Sequence, residues 1–426
     1  MTALIVTIAV LLLICIRVPI AFALLLPSLG YLTFASSVPT SVAIERMVSS
    51  LNGFALLAVP LFILVGNVAN NTGLASKIFD VAHSFVGRFR GGLGYVNVFS
   101  SLGFSWMSGT VVSDVAVMGS MMAPQMKKRG YKDEFIAGIT SAGSLIAPVM
   151  PPSVPAIIFG VTSGVSIGAL FIAGVIPALI VVLALCLSVW VYARKRDDLR
   201  QEAPPAKTIL MSAVKALPVA FAPVIVLGGI LGGIFTPTEA AAVTVAYLVV
   251  ISAVFYRSLT LSAVRGALLA TAKTTGSVML LVAGATLYGW VLTVERVPQA
   301  LGGLILGLTD NPIVFMLATI VLLLIIGCFM DTTAAILILT PVLLPIATSL
   351  DIDPVHFGIL LIFTLLIGLM TPPVGLVLYV LESVTELRMP AILRGTIPYV
   401  LIYIGIALLI MLVPALTTWL PSFMNN

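Results

Sequence analysis

Apolar runs of roughly 20 residues, each long enough to cross the hydrocarbon core of a bilayer as a helix, follow one another along the chain with short polar loops between them. The pattern predicts about ten spanning helices plus shorter apolar pieces, an all-α polytopic membrane protein. One sustained polar stretch interrupts it, Arg194 to Arg200 followed by Pro204-Pro205, near the middle of the chain. The chain is therefore divided into a first half, 1–193, a cytoplasmic linker, 194–210, and a second half, 211–426.

The halves share a pattern. Pro151, Pro152, Gly174, Ile176 and Pro177 recur 221 residues later as Pro372, Pro373, Gly395, Ile397 and Pro398. Upstream, a shift of 217 pairs Asp114 with Asp331 and Pro124 with Pro341, which calls for a four-residue insertion in the second half. Two anchors in the same order argue for duplication. Loop charge sets orientation, because Lys and Arg mark the cytoplasmic side. The loop after Asp114 carries Lys127, Lys128, Arg129 and Lys132, whereas its counterpart from Ser349 to Pro354 carries Asp351 and Asp353. After the Pro-Pro pairs the pattern reverses: Thr162 to Gly168 is uncharged, while Glu386 to Arg394 holds Arg388 and Arg394. The expectation is two inverted repeats, an architecture of secondary transporters.

Segment 91–126 starts after Arg88 and Arg90 and ends at Lys127, so both ends lie on the basic side, and it is too short for two full spans. Its middle, from Gly103 to Asp114, is too polar to face lipid, and a re-entrant hairpin turning near mid-membrane fits it. Its partner, 311–348, enters from the other side and turns near Gly327 to Thr333. A broken helix follows each hairpin, 134–160 interrupted at Ala147–Ser153 and 355–381 interrupted at Gly368–Pro373. Consecutive prolines free several carbonyls. In a membrane these require a cation, water or a protein donor. A single break is equally a kink satisfied by neighbouring Ser and Thr; two at equivalent positions, each beside a polar tip, favour a functional site.

Composition removes the main alternatives. With 60% hydrophobic and 9% charged residues, the chain lacks the polar surface a soluble domain of this size needs. The net charge of +5 is spread over short loops, which the positive-inside rule explains without nucleic acid. Cys15, Cys186 and Cys328 sit in apolar segments without metal spacing. The run Thr2 to Ile16 lacks a basic leader and cleavage site and reads as a retained helix.

Asp114 and Asp331 are the acidic residues best placed at mid-membrane, and a carboxylate there is a candidate site by default; the alternative is that each caps its second hairpin arm, and the two roles can coexist. The sodium candidates are Ser105, Ser108, Gly109, Ser113, Asp114, Ala147 and Met150 in the first half, with Gly327, Asp331, Thr332, Thr333, Gly368, Met370 and Thr371 in the second. They would offer hydroxyl, carbonyl and carboxylate oxygens to a hard cation. Thr110, Pro151, Ser153, Pro372 and Gly375 are the candidates for holding the solute. His83 and His356 stand without a second metal ligand. Glu295, Arg296 and Glu382 read as solvated interface residues, Trp290 and Trp419 as interface anchors, and Arg17 as part of a cytoplasmic turn.

Ser-Gly-Thr-Val-Val-Ser-Asp at 108–114, Ala-Pro-Val-Met-Pro-Pro-Ser at 147–153, Met-Asp-Thr-Thr at 330–333 and Met-Thr-Pro-Pro at 370–373 resemble the large permease subunit of tripartite ATP-independent periplasmic (TRAP) transporters along essentially the whole chain. The resemblance implies a sodium-driven elevator importer in the bacterial inner membrane, working with a small four-helix membrane subunit and a periplasmic solute-binding protein that delivers a carboxylate such as sialic acid or a C4-dicarboxylate. Without a four-helix N-terminal extension, the small subunit is expected to be a separate polypeptide. Sodium would be the co-transported ion, with no organic cofactor. A stand-alone divalent-anion symporter shares the hairpin logic. An intramembrane protease built on Ser108 lacks a histidine in an apolar span, so no enzyme is expected.

Overall fold

The computed structural model describes residues 2–16, 18–35, 39–200, 205–308 and 311–424, and every regular element in them is helical. Five helices open the chain: α1 (Thr2–Cys15), α2 (Ile20–Phe34), α3 (Ser41–Leu51), α4 (Ala58–Asn71) and α5 (Leu74–Val86). The first hairpin follows, α6 (Gly92–Ser108) and α7 (Val111–Lys128), then α8 (Asp133–Ser144), an unwound stretch, α9 (Val154–Ser163), α10 (Ile167–Ala173) and α11 (Val175–Ala193). Beyond the linker come α12 (Ala206–Leu231), α13 (Pro237–Val250), α14 (Leu261–Val294) and α15 (Val297–Leu308). The second hairpin is α16 (Pro312–Gly327) and α17 (Thr332–Ser349); α18 (Pro354–Leu369), a second unwound stretch, α19 (Leu376–Val384), α20 (Met389–Leu412) and α21 (Ala415–Thr418) complete the chain.

Seven of the described helical stretches are long and apolar enough to cross a membrane. That is fewer than the apolar runs suggest, because the breaks divide several runs into short helices such as Val154–Ser163 and Pro354–Leu369. The helix starts follow local chemistry. Pro312 and Pro354 stand where a missing N–H costs nothing, and Asp353 accepts from the amides of Val355 (2.8 Å) and His356 (2.9 Å) as an N-cap.

One spacing relates the halves. α7 and α17 are both 18 residues long and start 221 residues apart, as do α8 and α18. The two Pro-Pro bonds, both cis, and the left-handed residues Gly130 and Asp351 keep that interval. The 217-residue pairing with its insertion is therefore incorrect. Asp331 corresponds to Thr110, both N-cap positions, and Pro124 corresponds to Pro345. α17 holds two prolines, Pro341 and Pro345, about one turn apart, and it is the second that stands opposite Pro124.

The core lies around the helices that lead into the breaks. Every residue from Phe135 to Ser144 in α8 and from His356 to Leu369 in α18 is buried, whereas α12 exposes Leu210, Val214, Leu217 and Phe221 along its length. Packing is reciprocal: α7 lies on α8 and on α19, while α17 lies on α18 and on α9. At the α8–α20 crossing the backbones touch, since a Cβ on Gly395 would lie 2.0 Å from the Glu134 carbonyl oxygen and one on Gly138 2.2 Å from the Gly395 oxygen. Polar contacts gather the basic loops at one end: Arg90 to Asp197 (2.6 Å), Lys127 to Glu386 (3.5 Å) and Arg196 to the Gly130 carbonyl (2.9 Å). Elsewhere His356 meets Thr417 at 2.8 Å, and the 162–168 turn lies beside the last helical turn of the chain, with Met424 within 3.2 Å of a Cβ on Gly168.

Candidate site at the hairpin tips

Each hairpin tip rests on the break of its own half. The first turns through Gly109, left-handed at φ +56, where a Cβ would come 3.0 Å from the Pro152 carbonyl oxygen. The second is closer still: a Cβ on Gly368 would lie 2.2 Å from the Gly327 carbonyl carbon, and one on Gly327 2.7 Å from the Leu365 oxygen. Glycine is required here because backbone meets backbone.

The two carboxylates have different surroundings. Asp114, in the first turn of α7, is fully buried (0% exposed) and caps nothing. One of its oxygens accepts from Ser101 at 3.1 Å, the other has no hydrogen-bond partner, and no ion pair reaches it among the described residues. On α6 and α8, Asn97, Ser100, Ser101, Ser105, Thr140, Ser141 and Ser144 are likewise at 0% exposure, and the Ser101 hydroxyl and Asn97 Oδ1 lie together against Gly143. Asn97 donates to Thr140 at 2.8 Å, while its own Oδ1 and the hydroxyls of Ser100 and Ser141 are unpartnered. Asp331, by contrast, is exposed and caps α17 through the Thr333 amide at 2.8 Å. The capping alternative thus holds for Asp331 and fails for Asp114.

The other candidates divide between the tips. Ser105 donates to the Leu102 carbonyl at 2.6 Å, and Ser113 accepts from Asn70 at 3.3 Å. Thr110 is at the N-cap position of α7. The Ser108 side chain and Arg17 lie outside the described residues. Across the first break, Ala147, Pro151 and Ser153 are buried and Met150 is half-buried; Ser153 closes the unwound stretch by donating to the Pro148 carbonyl and accepting from the Ala156 amide at 3.1 Å. In the second half Thr332 is buried with an unpartnered hydroxyl, Thr333 is half-buried, and Met370 is fully buried. Thr371 donates to Ile367 at 2.8 Å, Pro372 is exposed, and Gly375 is left-handed at φ +53. The first break is enclosed and the second is open.

Sequence reasoning passed over the α6 and α8 polar residues although the signal was present. Asn97, Ser101 and Ser105 fall four residues apart on one helical face, as do Thr140 and Ser144, in spans where polar groups are expensive. One interface reading also changes: Glu295 accepts from Tyr31 at 2.6 Å, so solvation alone does not describe it; His356 is buried in the first turn of α18. Trp290 lies under the Arg46 guanidinium, 6.0 Å from the ring centre.

Residues 7–416 match the family model described as the tripartite ATP-independent periplasmic transporter, DctM component. The chain is 39% identical over 404 residues to the sialic acid TRAP transporter large permease protein SiaM of Vibrio cholerae, covering 95% of each chain. It is 38% identical to the 2,3-diketo-L-gulonate TRAP transporter large permease protein YiaN of Escherichia coli, again over 95% of each. To the C4-dicarboxylate TRAP transporter large permease protein DctM of Pseudomonas aeruginosa it is 37% identical over 93% of each. Its fold is similar to that of the Alcanivorax borkumensis YdaH transporter in the crystal, with TM-score 0.61 at 19% identity over 89% of this chain and 90% of that one. Seven apolar helices of spanning length, two hairpin tips seated on broken helices and these whole-length matches lead to one conclusion: the chain belongs to the DctM-component family of TRAP transporters and is a multi-pass inner-membrane transport permease, not an enzyme.

Proposed function

We propose that the chain imports a small carboxylated anion driven by sodium, with the two hairpins and broken helices moving together as an elevator against the remaining helices. The two halves act as inverted repeats, a reading supported by the single 221-residue spacing and by the basic loops gathered at one end. A periplasmic solute-binding protein delivers the solute and a small four-helix membrane subunit completes the complex, as the tripartite family description supports. The carboxylate class is supported by the sialic acid, diketogulonate and C4-dicarboxylate relatives.

The observation that carries the sodium assignment is Asp114. Burying an ionised carboxylate costs several kcal/mol unless it is compensated, and no base pairs with it among the described residues. A bound cation or a proton must supply the compensation. The unpartnered oxygen of Asp114, with Asn97 Oδ1 beside its partner Ser101, suits a hard monovalent ion that takes oxygen ligands. Ser105, Ser113 and the carbonyls of Ala147 and Met150 supply further oxygens to that ion; Gly327, Thr332, Thr333, Gly368, Met370 and Thr371 form its counterpart at the second tip, where Asp331 holds the arm. Thr110, Pro151, Ser153, Pro372 and Gly375 face the solute between the tips.

The experiment is uptake of labelled sialic acid and C4-dicarboxylates into proteoliposomes of the full complex under imposed sodium or proton gradients. Sodium alone should drive uptake, and Asp114→Ala should abolish it. Uptake driven equally by a proton gradient without sodium would assign the Asp114 charge to a proton.

A further inference from the structure

α5 lies along the basic end of the molecule. Its C-terminal end leads to Arg90, paired with Asp197 of the linker, and its N-terminal turn shares a recess with the start of α12, which emerges from the same linker. It is also amphipathic, with Lys77, Asp80 and His83 among apolar residues, the character of a helix lying in the interface plane.

Two adjoining recesses run along the α5–α12 pair. One, about 290 Å³, is lined by Lys77, Asp80, Lys207, Thr208, Ser212 and Lys215. None of the three lysines forms an ion pair among the described residues, so three cations face one carboxylate with two hydroxyls between them. The other, about 500 Å³, begins on the next residues of both helices, Ile78 and Ala216, and passes Phe85 and Leu227 to reach Met150 and Pro151 at the first break. A free anion would use only the first recess and a hydrocarbon only the second. A molecule in which a phosphate is joined to an acyl chain uses both.

We infer that the groove between α5 and α12 holds an anionic phospholipid of the inner leaflet, its phosphate on Lys77, Lys207 and Lys215 and its acyl chain lying against Met150 and Pro151. Basic residues at a membrane surface select anionic headgroups, and the excess of two positive charges over Asp80 matches a headgroup of net negative charge. The lipid then forms part of the wall of the first break, so leaflet composition modulates that side of the site. The assignment stands on the groove and does not depend on which ion or solute is carried.

The test uses the full chain in detergent, with native mass spectrometry and thermal shift against phosphatidylglycerol, phosphatidylcholine or inorganic phosphate. Phosphatidylglycerol should bind and stabilise in preference to phosphatidylcholine. Its apparent affinity should fall about 10- to 100-fold in Lys77→Gln/Lys207→Gln/Lys215→Gln, and not in the control Lys128→Gln at the same end but outside the groove. Ala220→Trp, at an exposed position lining the apolar recess, should weaken lipid binding and leave any phosphate binding unchanged. Equal stabilisation by phosphatidylcholine, or a phosphatidylglycerol response that phosphate alone reproduces and Ala220→Trp leaves intact, overturns the inference.

Discussion

Replacing Gly368 by Ala tests whether the second tip is held where the site requires it. The added Cβ would lie 2.2 Å from the Gly327 carbonyl carbon, 2.4 Å from its Cα and 2.7 Å from the Cys328 nitrogen. All three are backbone atoms of the second hairpin, so no side-chain rotation relieves the contact. Carbon atoms settle near 3.5–4 Å, so tip and break must part by more than about 1 Å. Overpacking of this kind costs about 1–3 kcal/mol, and oxygen ligands of a cation held near about 2.4 Å are lost over the same displacement. The expected result is a lowered melting temperature in detergent together with loss of most uptake in proteoliposomes. The control is Gly405→Ala in α20, where nothing lies within 4 Å of the new Cβ and helix propensity favours Ala by up to about 1 kcal/mol; stability and uptake should hold. If Gly368→Ala behaves like Gly405→Ala in both assays, the tight seat of the second tip is not part of the site.

Three further outcomes separate the residues around the tips. Asp331→Ala removes the cap on α17 and should cost about 1 kcal/mol of stability, visible as a small melting shift, whereas Asp114→Ala should leave membrane insertion and melting near normal while abolishing uptake. Tyr403→Phe deletes the buried 2.6 Å bond to the Ala142 carbonyl and should destabilise by about 1 kcal/mol, with uptake reduced because that carbonyl belongs to the α8 turn leading into the first break. In the linker, the Arg196 side chain hydrogen-bonded to Asp198 holds that carboxylate below its ordinary range. The folded pKa being the lower one, this contact contributes above the ordinary carboxylate range and is lost as pH falls through the folded value; Asp198→Asn should therefore lower melting slightly and by a constant amount between about pH 5 and 8, as expected for an exposed pair, and by less in more acid solution.

Much of the fold was legible because lipid imposes it. Apolar runs, basic loops and paired prolines put a broken helix at 134–160, where α8 starts at Asp133 and α9 ends at Ser163. Asp114 was legible as an ionisable group in an apolar span. Its neighbours were not, because Asn97, Ser101 and Ser144 are chemically ordinary and become a site only when α6, α7 and α8 bring them round one carboxylate. The difference between Asp331 and Asp114 was not legible for a related reason: composition cannot distinguish a residue one step before a helix from one in its first turn, yet the first caps and the second is buried. The register between the halves was not legible because α17 holds two prolines a turn apart; helix starts and the left-handed Gly130 and Asp351 fix it.

The reciprocal packing of α7 on α19 and of α17 on α9 has the form of an isologous dimer joined into a single polypeptide, in which patch i meets j and j meets i. In each half the second hairpin arm is covered in part by the other half, α7 by α19 and α17 by α9. A chain severed in the 194–210 linker should still reassemble from its two pieces, since the surface that each needs is the one the other presents.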